Sequence, residues 1–299
     1  MKVSSELADG IAAGRAAVAL ESTLICHGIP KPDNADLAVE MERRVRLEGA
    51  LPATMAVIGG AARIGLDTED LLALARADDV AKCTTRDLPL AMATRSLGAT
   101  TVASTIYLAA GQGIGVMATG GLGGVHLGGE TSLDVSADLF ELQRSPVAVV
   151  CAGVKSILDQ RRTMEVLETL GVPVIGYCCR ELPAFYTATS GIDISGVDDL
   201  DGLADVVRAH RTLGLPSGLV IVTPPPADAA LSGEETADLV NAARRAAEQK
   251  GVIGAAQTPF MLRRMADISE GRTVALNIRL AVANATLAAR LATKLTEAA

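Results

Sequence analysis

The stretch between residues 147 and 177 constrains the fold more tightly than any other. Two apolar runs, VAVVCAG (147–153) and VPVIGY (172–177), flank DQRRTMEVLETLG (159–171), whose apolar residues recur at helical spacing and which ends in glycine. Helical periodicity between two short, continuous apolar runs predicts a β-α-β unit. Such a unit joins parallel strands, and parallel strands are covered on both faces, which accounts for runs that do not alternate with polar residues.

The same pattern extends along the chain. AAVALES (16–22), ATMAVIGG (53–60), TTVAST (100–105), IGVMATGG (114–121) and GLVIVTPPP (218–226) read as further strands. Amphipathic helical segments run from Asn34 to Glu48 and from about Asp67. After the three prolines at 224–226 the chain turns helical, over roughly 233–250, 259–268 and 273–297. The expected fold class is therefore α/β: a central, largely parallel sheet with helices on both faces and additional C-terminal helices. No low-complexity linker or repeat interrupts it, so residues 1–299 read as a single domain. Aromatic residues make up only 2% and Trp is absent, so Ala, Val, Leu and Ile must build the core.

Charge and cysteine usage exclude several classes. The net charge of −8 argues against a nucleic-acid partner. A small anion remains compatible, because a local site can oppose the global sign. Glu6 and Asp9 interrupt the N-terminus where a signal peptide needs an apolar stretch. Residues 96–129 carry no charged side chain, but repeated glycines break the stretch, so no membrane span is expected. Five cysteines without a C-x-x-C pair or zinc spacing fit a reducing, cytoplasmic setting.

Phosphate-loop, nucleophile-elbow and H-E-x-x-H signatures are absent. GIGVMA (113–118) matches a loose dinucleotide pattern but lies within or before a strand, not in a strand-to-helix turn. ATGGLGGVHLGGE (118–130) is more informative, with six glycines between 120 and 129 and His126 among them. A row of backbone N–H groups there can bind phosphate or carboxylate oxygens; the alternative is a flexible turn.

Lysine is scarce, six residues against 21 arginines, yet Lys82 and Lys155 both close apolar strand-like runs. A guanidinium stays protonated in such a place, whereas a desolvated ammonium can release its proton and become a nucleophile. The alternative is that both side chains snorkel to solvent. Glu21 ends the first strand, at the carboxyl end where parallel sheets place ligands. Asp134 and Asp138 are four apart, so a helix would set both on one face, able to share a metal or a hydroxyl; alternatively Asp134 starts a helix and Asp138 is solvated.

Taken in order, ALEST, HGIPKPDN, PATMAVIGG, RDLP, TTVAST, ATGGLGGVH, DVSADL, VVCAGVKSILD, GVPVIGY, LPAF, QTPF and NIRLAVAN resemble the pseudouridine-5′-phosphate glycosidase, or indigoidine synthase A-like, family over residues 14 to 292. The resemblance implies reversible cleavage of the C–C bond between uracil C5 and ribose C1′ of pseudouridine 5′-phosphate, through a lysine Schiff base on ring-opened ribose. It also implies a manganese ion and a homotrimer. Residue by residue, Lys155 falls on the nucleophile and Glu21 on the proton donor. Lys82, Val102, Ser136, Ala137 and Asp138 fall on substrate-binding positions, and Asp134 on the metal position. Thr119, His126 and Asn277 fall on further pocket positions. Leu127 stands where some relatives carry a basic residue, and Cys178-Cys179 is atypical. Carbon is a poor leaving atom, so nitrogen bonded at C1′ would supply the electrons that expel uracil. The alternative function is another Schiff-base lyase or aldolase acting on a sugar phosphate.

Overall fold

A computed structural model of the chain describes residues 1–297; the last two residues of the expected domain lie outside the described residues. Seven parallel strands form the middle of the sheet: β1 (Ala17–Leu20), β2 (Leu51–Ile58), β3 (Val116–Ala118), β4 (Ala148–Cys151), β5 (Val174–Tyr177), β6 (Ser195–Val197) and β7 (Leu219–Val222). They lie in the order β2-β1-β3-β4-β7-β5-β6. The expected β-α-β unit from β4 to β5 is present with its helix, Gln160–Thr169, but β7 lies between the two strands.

Side-chain alternation shows why these runs are apolar throughout. Val18 and Leu20 of β1, Val116 and Ala118 of β3, and Ala148 and Val150 of β4 enter the core on one face. Ala19, Met117, Val149 and Cys151 enter the core on the other. The first face is covered by the helices Asp33–Leu47, Leu200–Thr212 and Arg272–Thr296, the second by Val102–Ala110, Ala137–Arg144 and Gln160–Thr169. The expected α/β class is the observed one. The far half of β2 also pairs antiparallel with Ala61–Ile64 and with Gly98–Thr100, and Gly98–Thr100 pairs with Ala81–Cys83.

Two local expectations are corrected. The run TTVAST is not a strand: the strand ends at Thr100, and Thr101 caps a helix beginning at Val102, its side chain accepting from the Ser104 N–H. A threonine with a free hydroxyl at that junction favours the cap over continued pairing. Asp134 and Asp138 do not share a helix face, because Ser136 is the N-cap of Ala137–Arg144 and Asp134 precedes it.

Among the described residues, Arg272–Thr296 is the one helix with the length and hydropathy of a membrane span, and 56% of its apolar window is buried within the fold. Its small residues, Ala281, Ala285, Ala288 and Ala292, let it lie close against the sheet.

Candidate active site

Neighbouring strands β1, β3 and β4 all end on the same side, and the chain beyond each end carries a functional group: Glu21 after β1, Thr119 after β3 and Lys155 after β4. That is the carboxyl edge of a parallel sheet, where backbone leaves the ladder and ligands find room. A cavity of about 560 Å³ opens there, within the range of small-molecule sites.

The path from β4 to Lys155 is fixed by backbone pairing. Ala152 N–H donates to the Gly120 carbonyl, Leu122 N–H to Gly153 and Lys155 N–H to Leu122, each at 2.9–3.0 Å. On the other side, the Phe185 N–H donates to the Ala152 carbonyl. Gly153 sits at φ +87°, and a Cβ there would lie 2.0 Å from the Pro183 carbonyl oxygen. Only glycine lets the two segments approach this closely. The half-buried Lys155 side chain lines the cavity.

Glu21 is buried at 5% exposure and accepts a short hydrogen bond from the Thr119 hydroxyl. Burial pushes its carboxyl above the usual carboxylate range; the Lys155 charge and the Thr119 hydrogen bond pull the other way. Lys82, an exposed residue, reaches the cavity from Ala81–Cys83. Its ammonium is held below the ordinary lysine value, first by desolvation and then by the positive charge of Lys155.

The glycine-rich strip is not a loose turn, and part of its row of N–H groups is already engaged. The N–H groups of Leu122, Gly123, Val125 and His126 are spent on Gly153, Asp138, Thr163 and Asp134 respectively. The strip prolongs β3 alongside the extension of β4, through a parallel bridge between Leu122 and Val154. Asp138 holds it there: one carboxylate oxygen accepts from Gly123 N–H (3.0 Å), the other from Ala103 N–H in the first turn of Val102–Ala110 (2.9 Å). Asp138 is therefore buried and engaged, not solvated. A side chain at Gly123 would meet that carboxylate at 2.5 Å, so glycine is required for the contact.

Each of the eleven residues singled out in the sequence lines this cavity: Glu21, Lys82, Val102, Thr119, His126 and Asp134 together with Ser136, Ala137, Asp138, Lys155 and Asn277. Asn277 comes from the C-terminal helix and is buried with its Oδ1 unpaired among the described residues. Sequence reasoning assigned no role to Thr84, Thr85, Arg86, Glu141 or Arg144, which form another wall. Buried Glu141 accepts from Ser145 and from Thr85, and pairs with Arg144. Phe185 of LPAF and Thr258 and Pro259 of QTPF also line the cavity, so those segments carried a signal.

The donors available to a metal ion are few. Among the described residues no three His, Cys, Asp or Glu side chains cluster as a cage. Half-buried Asp134 has His126 Nδ1 4.0 Å from its Oδ2. A hard divalent ion that keeps several waters and shares a substrate phosphate needs only one or two protein carboxylates. The donor set fits that open kind of site and not a closed one.

The indigoidine synthase A like protein family matches residues 6–294. The chain belongs to this family. A pseudouridine-5′-phosphate glycosidase of Herpetosiphon aurantiacus is 48% identical over 98% of this chain and 97% of its own length. One from Glaesserella parasuis is 45% identical over 97% and 96%. Among solved structures, the prealnumycin C-glycosynthase AlnA in complex with ribulose 5-phosphate superimposes with a TM-score of 0.91 at 35% identity, covering 99% of this chain and 97% of that one. Family membership thus rests on the whole chain, from the first helix to the last.

Proposed function

We propose that this protein cleaves pseudouridine 5′-phosphate reversibly to uracil and ribose 5-phosphate, with Lys155 as nucleophile and Glu21 as proton donor. The observation that carries the reading is the convergence of an amine and a buried acid at neighbouring strand ends in one cavity, in a chain 45–48% identical over nearly its full length to enzymes of that name.

The chemistry follows from the groups. The lone pair of the Lys155 amine attacks C1′, the C1′–O4′ bond breaks, the ring oxygen takes up a proton, and the nitrogen, now an ammonium, gives one up. The nitrogen lone pair then forms C=N as the C1′–C5 bond breaks, and C5 gains a proton, releasing uracil. Water adds to the iminium and frees ribose 5-phosphate and the amine. Two protons are delivered along this path, and Glu21, whose carboxyl burial shifts toward its protonated form, is the acid placed to supply one. Lys82 offers a positive charge for the phosphate, and the Asp138 clamp keeps the glycine strip in register with Lys155.

The same reading carries manganese at Asp134, with His126 beside it, a homotrimeric assembly, and a cytoplasmic location. Bound there, the ion would offset substrate phosphate charge. Incubation with pseudouridine 5′-phosphate and manganese is expected to release free uracil. Turnover of a sugar phosphate lacking a base, with no uracil from the nucleotide, would favour an aldolase-type lyase instead.

A further inference from the structure

Asn284 belongs to none of the groups given a role above, yet it is completely buried on the C-terminal helix, two turns beyond Asn277. Its amide nitrogen donates to the Thr119 carbonyl at 2.7 Å and to the Gly120 carbonyl at 3.3 Å. Its Oδ1 has no hydrogen-bond partner among the described residues. Carbonyl oxygens only accept, so the amide nitrogen has to face the Thr119–Gly120 peptide. A half-satisfied buried amide packs less favourably than a leucine of similar size, and helix packing by itself does not account for it.

What the amide holds is the segment that carries the partner of Glu21. Pairing of β1 with β3 ends at Leu20 and Ala118. Beyond that point Asn284 supplies the donor to the strip, and the Thr119 hydroxyl turns to the Glu21 carboxyl. We infer that Asn284 is a positioning residue for the proton donor: it fixes the Thr119–Gly120 peptide and thereby sets the Thr119 hydroxyl against Glu21. The inference rests on Glu21 acting as the acid in the proposed reaction.

A double-mutant cycle separates this role from simple packing. Uracil release from pseudouridine 5′-phosphate is measured across pH for wild type, Asn284→Leu, Thr119→Val and the double variant, with Tm determined for each. Asn284→Leu is expected to lower kcat by about tenfold or more with KM within about twofold. Its alkaline limb should move to higher pH, because a carboxylate that loses a hydrogen-bond donor holds its proton longer. The double variant should lose no more activity than Thr119→Val alone. Wild-type kcat and pH profile with only a lower Tm would overturn the inference, as would losses that multiply in the double variant. If Asn284→Leu does not fold, Asn284→Asp gives the decision: its protonated form can donate to the Thr119 carbonyl and its carboxylate cannot. Activity should then recover as pH falls, and a profile like wild type would contradict the role. Absence of uracil release by wild type would defeat the functional reading, and the inference with it.

Discussion

At Glu21 and Lys82 the same cavity acts on an acid and a base in opposite directions: desolvation raises the carboxyl and lowers the ammonium. A carboxylic acid that keeps its proton near neutral pH can serve as a donor. Glu21→Gln is expected to lower turnover by about 10²-fold or more. Its stability should move the other way. The folded state holds the Glu21 proton more tightly than the unfolded chain does. That contribution is fully present below the unfolded carboxyl value of about 4.3 and lost as pH rises through the raised folded value. Glutamine never ionises, so thermal denaturation should find the variant similar to wild type at acidic pH and increasingly the more stable toward neutrality. A wild type that gains on the variant as pH rises would refute the direction given for Glu21. As an amine on the cavity wall Lys155 was legible in the sequence, because lysines are few and this one closes an apolar run, while the role given to it came from the family resemblance. The Thr119–Asn284 contact was not, because it joins positions 165 apart, and local patterning carries no trace of such a pair.

Elements were readable where both faces of a strand are buried, as in β1, β3, β4 and β7, and where a helix carries one apolar stripe, as in Gln160–Thr169. Reading failed where side chains capture backbone groups. Thr101 diverted TTVAST into a helix cap, and Ser136 separated Asp134 from the helix that carries Asp138. In the glycine-rich strip the sequence did not show which N–H groups are already engaged, because their partners, Gly153, Asp138 and Thr163, come from distant segments. The turn before Lys155 gives an element-scale prediction. Gly153→Ala combines a left-handed backbone with a 2.0 Å contact to the Pro183 carbonyl, and should cost about 3 kcal/mol or more. Urea denaturation measures that loss directly; an unchanged midpoint and unchanged turnover would show that the β4–Leu182 region has more room than its backbone contacts imply.

For the whole molecule, chain order and spatial order diverge in one useful way. The strands ending at Glu21, Thr119 and Lys155 are first, third and fourth of the seven in sequence but adjacent in the sheet, so three distant segments deliver their groups to one edge. The C-terminal helix, last in the chain, reaches back to the same edge through Asn277 and Asn284. Its length and hydropathy match a membrane span, and its buried asparagines and alanines instead fit it to the sheet. The sparse donors at Asp134 predict weak, exchangeable metal binding: chelation should abolish turnover and manganese should restore it, while full activity in stripped protein would remove Asp134 from the reaction. The central claim concerns one covalent bond, between the Lys155 nitrogen and C1′ of the sugar. Borohydride reduction in the presence of ribose 5-phosphate, followed by peptide mass mapping, tests it directly. The account predicts a stable adduct on Lys155, absent from a folded and inactive Lys155→Ala. An adduct on Lys82, or none at all while the enzyme turns over, would contradict it.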